Sequence, residues 1–308
     1  MTGLVLRARS GFYTVATPDG GLVEARLRGR VKRDRQTSDL AVIGDRVTLE
    51  RLPDGTGAIT SVEPRRRRFS RRQPGARGTW REDVMVANPD LVAAVFACRR
   101  PDPNPRLVDR FLVVAEWNEV PVILVANKVD LVGLDVARST FAGYERIGYD
   151  VVHTSARTGI GLDDLRRRLE GRLSIVTGPS GVGKSTLLNA LQPGLRLATA
   201  EVSDALDKGR HTTTNAELHA LDGPAGGFVA DTPGIRELGL WQIPPDELAW
   251  CFPELRPYLG GCGFSDCTHL HEPRCAVRVA VDDGKVTDDR YDSYRRMLTG
   301  DVAAGSRA

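Results

Sequence analysis

The stretch Gly178-Pro-Ser-Gly-Val-Gly-Lys-Ser185 is the most informative part of the sequence about the fold. It matches the phosphate-loop pattern G-x-x-x-x-G-K-[ST] at every fixed position. The apolar run 173–177 before it predicts a strand, and the spacing over 184–191 predicts a helix, which is the context that such a loop requires. Its glycines allow backbone N–H groups to point at phosphates, and the helix N-terminus adds a favourable dipole. The stretch therefore predicts a nucleotide phosphate site in an α/β domain.

Two side chains of this loop have distinct predicted roles. Lys184 is expected to reach the β- and γ-phosphates and to act in catalysis, and the Ser185 hydroxyl is expected to ligate Mg²⁺. The predicted phosphate-binding residues are Gly178, Pro179, Ser180, Gly181, Val182, Gly183, Lys184, Ser185 and Thr186.

A phosphate loop does not distinguish GTP from ATP, but Asn127-Lys-Val-Asp130 does. Guanine offers N1–H and a 2-amino group to the Asp130 carboxylate, whereas adenine has no donor at either position and would leave that carboxylate unpaired. The Lys128 stem is expected to cover the base, and Asn127 to brace the loop. Ser155-Ala156, after the next predicted strand, matches the loop whose backbone N–H reads guanine O6. Together these residues predict guanine specificity.

A third motif, Asp231-Thr-Pro-Gly234, completes the predicted site. Asp231 is expected to hold Mg²⁺ through water and to support catalysis, and the Gly234 N–H to meet the γ-phosphate. Between this motif and the phosphate loop lies the polar stretch 208–214, which we interpret as the first switch. Thr213 is its predicted Mg²⁺ ligand.

Ile235 follows the glycine of the third motif, at the position where Ras-like enzymes carry a Gln that orients the attacking water. An isoleucine cannot orient water, so we predict slow intrinsic hydrolysis and a need for an outside activator. His211, within the first switch, is the residue we predict to position the water in its place.

The order of the three motifs is unusual. The base-reading loop comes first, the phosphate loop second and Asp-x-x-Gly last, whereas Ras-like GTPases run phosphate loop, Asp-x-x-Gly, Asn-Lys-x-Asp. The chain thus resembles a circularly permuted GTPase. Strands alternating with helices from residue 83 onward predict a parallel sheet, and each motif follows one of its strands, where ligands bind.

The N-terminal region differs in both pattern and charge. Short alternating strands separated by turn signals over residues 1–62 predict a small β-barrel of the OB type. Residues 1–81 hold 18 Lys and Arg against 8 Asp and Glu, a net +10, while the remainder is −7. This asymmetry predicts an anionic partner, nucleic acid in particular.

The basic stretch 65–82 is expected to be a linker, because it is rich in arginine and poor in apolar residues. Contact with phosphates and a purely solvated tether both remain open for it. The predicted multidomain α/β architecture is an OB-fold domain over 1–64, this linker, a permuted GTPase domain over 83–239 and a helical zinc-binding domain over 240–308.

Three cysteines and two histidines crowd residues 262–275, a density that favours a metal over a disulfide. A closed Cys₃His set suits tetrahedral structural Zn²⁺. We favour Cys262, Cys267, His269 and Cys275 as the ligands, with His271 outside. The remaining cysteines, Cys98 and Cys251, are expected in the core.

These motifs, with Gly209-Arg-His-Thr-Thr-Thr214, Asp231-Thr-Pro-Gly-Ile-Arg-Glu237 and Asp266-Cys-Thr-His-x-x-Glu-Pro-x-Cys-Ala-Val277, resemble the RsgA/YjeQ family of ribosome-small-subunit-dependent GTPases. The resemblance covers essentially the whole chain. It implies binding near the decoding region of the small subunit and its rRNA, a role in late subunit maturation, subunit-stimulated GTP hydrolysis and then release. One departure is Ala87-Asn-Pro-Asp-Leu91, where the family usually has Ala-Asn-Val-Asp-Gln, which puts any contact of that Gln in doubt.

Three other functions remain as alternatives: an RNA-binding scaffold with static nucleotide, a small-molecule kinase, and a permuted GTPase of the large subunit. Turnover would exclude the first, and the second leaves Asp130 unexplained. No apolar run is long enough to span a membrane, and the N-terminus lacks a signal-peptide core. We therefore expect a cytoplasmic protein that does not bind membranes. We also expect it to be a monomer.

Overall fold

The computed structural model describes residues 1–29, 41–74, 80–195, 217–231 and 243–300, with only the backbone described for 72–74, 80–81 and 231. The predicted residues His211, Thr213 and Gly234 lie outside these ranges.

The N-terminal barrel has five strands, β1 Thr2–Arg9, β2 Phe12–Ala16, β3 Leu22–Leu27, β4 Arg46–Arg51 and β5 Gly57–Val62. They pair in the order β1-β2-β3-β5-β4, and β4 pairs back with β1, which closes the barrel. Alternate side chains point inward, so Val5, Val15 and Leu49 are fully buried. The predicted barrel is confirmed, and closure leaves no free edge.

The central sheet carries the predicted motifs. Its strands are β8 Leu91–Ala97, β9 Val122–Asn127, β10 Asp150–His153, β11 Leu173–Thr177, β12 Glu217–Ala220 and β13 Phe228–Asp231. They lie in the order β10-β9-β8-β11-β13-β12, and every pairing except β12–β13 is parallel. All seven residues of β8 are buried, as expected of a strand covered on both faces. Leu91, which lies where the chain departs from the family pattern, belongs to the hydrophobic core on one side of this sheet.

Four helices cover this sheet: α1 Pro105–Trp117, α2 Leu134–Arg146, α3 Leu162–Leu169 and α4 Lys184–Leu191. Helix α1 begins at a proline after Asn104, whose side chain accepts from the N–H groups of Arg106 and Leu107. The apolar faces of the helices form two cores, one on each side of the sheet. This arrangement is the predicted α/β fold.

The barrel and the central sheet are hydrogen-bonded to one another. Strand β1 pairs with β12 in antiparallel register at Arg7 and Glu217, whose side chains also form an ion pair. The result is one continuous sheet of 11 strands. A short strand such as β12, with a single fully buried side chain, Leu218, gives little signal in the sequence.

The stretch 65–82 does not form the predicted linker. Strand β6 Arg68–Pro74 pairs with β7 Trp80–Ala87 as an antiparallel two-stranded sheet. Phe69 and Val86, opposite one another in this pair, are buried in the core of the central domain. Charged side chains on the exposed side pair across the strands, Arg71 with Asp83 at 2.9 Å. The prediction was wrong because the arginines dominate the composition and hide a single well-placed aromatic residue.

The C-terminal region is helical, as predicted. It contains α5 Pro245–Leu248, α6 Ala276–Asp282 and α7 Asp288–Thr299, with single 3₁₀ turns at 249–251 and 256–258. Its small core is built around Phe252 and Tyr294, whose rings meet edge-to-face at 5.6 Å, and includes Val113 of α1. Within the described parts of the chain, no helix combines the length and apolar character needed to cross a membrane.

Candidate guanine-nucleotide site and metal centre

The five parallel strands of the central sheet end at one edge, and each of the nucleotide motifs begins there. Asn127 is the last residue of β9, Gly178 follows β11, and Ser155 comes two residues after β10. Asp231 ends β13, where its backbone lies beside Val176 of β11. Motifs that are far apart in the sequence are thus brought to one site.

Two glycines of the phosphate loop are required by its geometry. Gly178 has φ +143°, and a Cβ there would lie 2.1 Å from the carbonyl oxygen of Val95. Gly183 has φ +92°, and a Cβ there would lie 2.8 Å from Nδ2 of Asn127. Any larger residue would strain the backbone and displace the neighbouring strand or loop.

Lys184, the first residue of α4, lies folded over the loop. Its Nζ donates to the carbonyl oxygens of Gly178 and Pro179, each at 2.7 Å. The cation is therefore held at the centre of the loop, at the N-terminus of a helix whose first turn contains no acidic residue. Ser185 and Thr186 follow in that turn, as the phosphate-loop pattern predicts. This arrangement places positive charge where an anionic phosphate would bind.

Asn127 joins the base-reading loop to the phosphate loop. Its side chain is 1% exposed, and its Nδ2 donates to the carbonyl oxygen of Val182 at 2.9 Å. Its Oδ1 accepts from the Thr154 hydroxyl at 3.2 Å. Both ends of the amide are satisfied inside the protein, so the residue fixes two loops rather than a ligand.

Lys128 lies across the phosphate loop. Its backbone is left-handed, with φ +63°, and its Nζ donates to the Gly181 carbonyl oxygen at 2.6 Å and to the Arg100 carbonyl oxygen. Burial lowers the pKa of this ammonium group from its ordinary value, although nearby Asp130 opposes the shift. The aliphatic stem is held over the loop, a geometry compatible with covering a base.

Asp130 is oriented by Ser155. The Ser155 hydroxyl donates to Oδ1 of Asp130 at 2.6 Å and accepts from the Thr158 N–H at 3.2 Å. Ser155 itself is fully buried. The carboxylate is thereby held in one orientation, with acceptor capacity left for the two donors of a guanine edge. The sequence suggested a backbone contact from the Ser155-Ala156 loop, but it did not reveal this hydroxyl contact.

The loop 98–101, after β8, also belongs to the site, although the sequence analysis did not include it. Its Arg100 carbonyl oxygen binds Lys128, and Pro101 Cδ lies 3.7 Å from where a Cβ of Gly181 would be. Burial, with a smaller effect of Asp130, raises the pKa of the Cys98 thiol to about 11. The signal was available, since β8 is parallel to β9 and β11 and must end at the same edge.

The magnesium and catalytic set is described only in part. Lys184 and Ser185 lie in the phosphate loop as predicted, and for Asp231 only the backbone is described. The backbone position of Asp231, adjacent to the strand that leads into the phosphate loop, fits a metal held between them. The predicted roles of Thr213, His211 and Gly234 concern residues outside the described ranges.

The second candidate site is a Cys₃His cluster near the C-terminus. The ligand atoms of Cys262, Cys267, His269 and Cys275 all lie within 4.8 Å of one another. His269 Nδ1 is 3.5 Å from the sulfur of Cys262 and 3.4 Å from that of Cys275, and these two sulfurs are 3.9 Å apart. Tetrahedral Zn²⁺ with bonds of about 2.3 Å to sulfur places its ligands roughly 3.5–3.8 Å apart. The three quoted distances are close to these values, and the Cys267 sulfur lies within 4.8 Å of the other ligand atoms, so the four residues fit a tetrahedral zinc site.

The chain around the cluster is held by a carboxylate. Glu272 accepts from the backbone N–H of Thr268 at 2.8 Å, of Leu270 at 3.1 Å and of His271 at 3.2 Å. Hydrogen bonds from Thr268, chiefly from its side chain, keep the pKa of Glu272 far below its ordinary value. Burial lowers the pKa of His269, which favours the neutral imidazole that metals bind.

Comparison with known proteins agrees with the geometry. The model of the RsgA GTPase family matches residues 62–241, and that of the RsgA N-terminal domain matches residues 2–59. The chain is 50% identical to the small ribosomal subunit biogenesis GTPase RsgA of Gemmatimonas aurantiaca, over 96% of each chain. It is 42% identical to the protein of the same name from Moorella thermoacetica, over 98% of each.

Solved structures give the same result for the fold. The crystal structure of YjeQ from Thermotoga maritima is 35% identical and superposes with a TM-score of 0.79, over 97% of each chain. YloQ, described as a circularly permuted GTPase, is 30% identical with a TM-score of 0.73, over 97% of this chain and 94% of that one. The chain therefore belongs to the RsgA family of circularly permuted, GTP-hydrolysing enzymes.

Proposed function

We propose that this GTPase binds the small ribosomal subunit and its rRNA, assists late maturation of the subunit, hydrolyses GTP when the subunit stimulates it, and then dissociates. The observation that carries the nucleotide assignment is the Asp130 carboxylate, which Ser155 holds at 2.6 Å at the same sheet edge as the phosphate loop. The relatives are small ribosomal subunit biogenesis GTPases by name, which supports the small subunit as partner. Working in the cytoplasm as a monomer is part of the proposal.

In the proposed reaction, water attacks the γ-phosphorus of GTP and GDP leaves with inorganic phosphate. Lys184 exchanges its two carbonyl contacts for oxygens of the β- and γ-phosphates, which carry the developing charge. Mg²⁺, when held beside these residues, would supply positive charge that neutralises the same oxygens. Ser185, Thr213 and Asp231 are its proposed ligands, Asp231 through water.

Positioning of the attacking water is the step that this chain's own residues support least. Ile235 has no polar group to orient water, so His211 and the ribosomal subunit are proposed to supply that function. The Gly234 N–H is proposed to bind the γ-phosphate. Slow turnover of the free protein is the direct consequence.

The Cys₃His cluster is proposed to hold one structural Zn²⁺. Four protein ligands within 4.8 Å of one another close the tetrahedron and leave no position for substrate. The ion would stabilise a region whose own hydrophobic core is small. We also propose the domain boundaries given from the sequence, except that residues 65–82 contain the β6–β7 hairpin instead of a linker.

The test is GTP hydrolysis by the full chain, with and without purified small subunits, and with Lys184→Ala as the blank. Strong stimulation by small subunits alone supports the proposal. Equal stimulation by large subunits, or none, contradicts the assigned partner.

Base recognition is tested separately by nucleotide binding. Asp130→Ala should weaken GDP binding about a hundredfold, because two charge-assisted hydrogen bonds are lost. The matched control is Asp135→Asn, an exposed acid in the first turn of α2 that lies outside the site. Unchanged GDP affinity in Asp130→Ala would contradict the base-reading role.

A further inference from the structure

An aromatic side chain lies between two arginines on the outer surface of the barrel. Phe12 of β2 pairs with Arg9 of β1 on one side and with Arg26 of β3 on the other. The three residues form one row across three neighbouring strands, and all of them are exposed. The adjacent aromatic residue, Tyr13, points inward and is 3% exposed. The row, called here the Phe12 platform, is therefore a surface feature rather than part of the core.

The geometry of the Phe12 platform is that of a stack. The guanidinium carbon of Arg26 lies 4.1 Å from the centre of the Phe12 ring, and the ring remains 47% exposed. An exposed phenylalanine costs hydration free energy, and one cation–π contact at a surface offsets only part of that cost. A flat guanidinium beside an open ring presents two surfaces on which a further planar group can stack.

The charges of this face distinguish the platform from its surroundings. Neighbouring arginines are neutralised, Arg7 by Glu217 and Arg28 by Glu50, the latter at 3.0 Å. Within the described ranges of the chain, neither Arg9 nor Arg26 forms an ion pair. The two cations that flank the ring are thus the ones left available to a ligand's negative charge.

We propose that the Phe12 platform binds single-stranded RNA, with a base stacked on Phe12 and Arg26 and a backbone phosphate on Arg9. Stacked aromatic and arginine side chains with nearby cations are the groups that bind unpaired bases, whereas the bases of a duplex are already stacked on one another. The choice of RNA as partner rests on the proposed function. The Phe12 platform is the place where the barrel would contact the RNA.

Binding of a fluorescein-labelled, unstructured RNA of about 12 nucleotides, within the range that single OB folds cover, tests the proposal by fluorescence anisotropy. The full chain is used as wild type, Phe12→Leu, Phe12→Tyr and Leu22→Ala. Leu22 is the matched control, because it lies on the same two-strand surface, opposite Ala16, and is 67% exposed. Phe12→Tyr keeps the ring and tests whether aromaticity rather than folding is responsible.

Loss of one stacked base should weaken RNA binding by Phe12→Leu roughly five- to a hundredfold. Phe12→Tyr should stay within about twofold of wild type, and so should Leu22→Ala, because neither change removes a stacking surface. Arg9→Gln should lower the slope of log affinity against log salt by about 0.7, the value for one phosphate of a single strand.

Several results would overturn the proposal. Equal RNA affinity of wild type and Phe12→Leu would mean that the Arg26 stack only stabilises the barrel surface. A matched loss in Leu22→Ala would mean that the variants damage the barrel. Preference for a duplex of the same sequence, independent of Phe12, would assign the surface to backbone contacts alone.

The platform and the proposed function fail separately. If small subunits stimulate GTP hydrolysis but Phe12→Leu binds RNA like wild type, the platform is wrong and the function stands. If RNA binding depends on Phe12 but no subunit stimulates hydrolysis, the platform stands and the ribosomal assignment is wrong.

Discussion

The barrel and the C-terminal helical region are attached to the central sheet by different kinds of contact. The barrel is joined through the backbone: β1 pairs with β12, and the Ala87 N–H donates to the Ile43 carbonyl oxygen at 2.9 Å. At the same junction the side-chain amide of Asn88 donates to the backbone carbonyl oxygen of Gly44 at 3.1 Å. Backbone hydrogen bonds in a sheet tolerate little sliding, so we expect barrel and sheet to move as one unit.

The C-terminal region is attached by buried side chains of opposite charge. Arg290 of α7 donates to Asp109 of α1 and to Glu254, each at 2.5 Å. The Ser293 and Tyr144 hydroxyls also donate to Asp109, at 2.5 and 2.9 Å. Such a network is stable only while every partner is present, because any one left alone is a buried unpaired group.

The difference matters because α1 begins close to the nucleotide site. The loop before it, 98–101, contacts Lys128 through the Arg100 carbonyl oxygen. A shift of this loop on nucleotide exchange would move α1 against the C-terminal region, where discrete side-chain contacts can break and reform. We therefore expect nucleotide state to reach the C-terminal region and to leave the barrel junction unchanged.

Removal of the metal should have the largest effect, and this effect should be confined to the C-terminal region. Chelation should open residues 262–275, because structural zinc supplies about 10–16 kcal/mol of apparent binding free energy in small zinc domains. Trypsin should then cleave after Arg274 and Arg278, with fragments identified by mass, while the barrel stays intact. Cys267→Ser should mimic chelation and Cys251→Ala should not, and equal resistance of all three samples would refute the metal site.

Breaking the side-chain junction should be the next largest effect. Asp109→Asn leaves Arg290 buried with one carboxylate fewer, which should cost about 3–5 kcal/mol of free energy of unfolding of the C-terminal region. Asp292→Asn is the matched control, since Asp292 joins α7 to Arg106 of α1 by a half-exposed pair at 3.4 Å. That change should cost under about 1 kcal/mol. Urea unfolding followed by tryptophan fluorescence compares the two variants, and similar losses would mean that burial of the network is unimportant.

The backbone junction can be tested through Gly44. Its φ is +84°, and a Cβ there would lie 2.1 Å from the Ala87 carbonyl oxygen, so Gly44→Ala should cost about 2 kcal/mol or more. Gly20→Ala shares the strain, with φ +81°, but has open space around it. It should therefore cost only about 1 kcal/mol. Thermal unfolding of both variants separates the close contact from the strain, and equal melting temperatures would contradict the tight junction.

The smallest expected effect is a pH dependence of stability at the contact between α1 and α7. A hydrogen bond from Arg296 lowers the pKa of Asp292 below its ordinary value, although partial burial opposes this. The folded pKa is thus lower than the unfolded pKa, so the contribution to stability is present above about pH 4 and is lost as pH falls through the folded pKa. The stability difference between wild type and Asp292→Asn should shrink toward zero in urea titrations as the pH falls through the folded pKa. A difference that grew on acidification would reverse the assigned sign.

The central domain was predictable because its motifs and its strands coincide. The predicted strand at 173–177 and the predicted helix at 184–191 match β11 and α4 in both bounds. Fixed residues around a phosphate loop determine local backbone conformation, and buried parallel strands are continuous apolar runs. The grouping of the four residues of the Cys₃His cluster was predictable for a similar reason, since they are closely spaced in the sequence and cysteine and histidine are characteristic metal ligands.

The junctions were not predictable. Asp109 and Arg290 are 181 positions apart, and nothing in either local sequence indicates that they will meet. Strands β6 and β12 have few apolar residues of their own and depend on neighbours in the fold for their pairing. The contacts of Arg100 use its carbonyl oxygen, so the side chain gives no signal. The sequence did not indicate which distant residues would pair or which contacts would be made by backbone atoms.

Hydrogen–deuterium exchange of the full chain with GDP and with a non-hydrolysable GTP analogue compares the two junctions in one experiment. Protection should change between the two nucleotides in α7 and around Glu254, and should stay constant in β1 and β12. Constant protection in the C-terminal region, or a nucleotide-dependent change at the β1–β12 pair, would contradict this expectation.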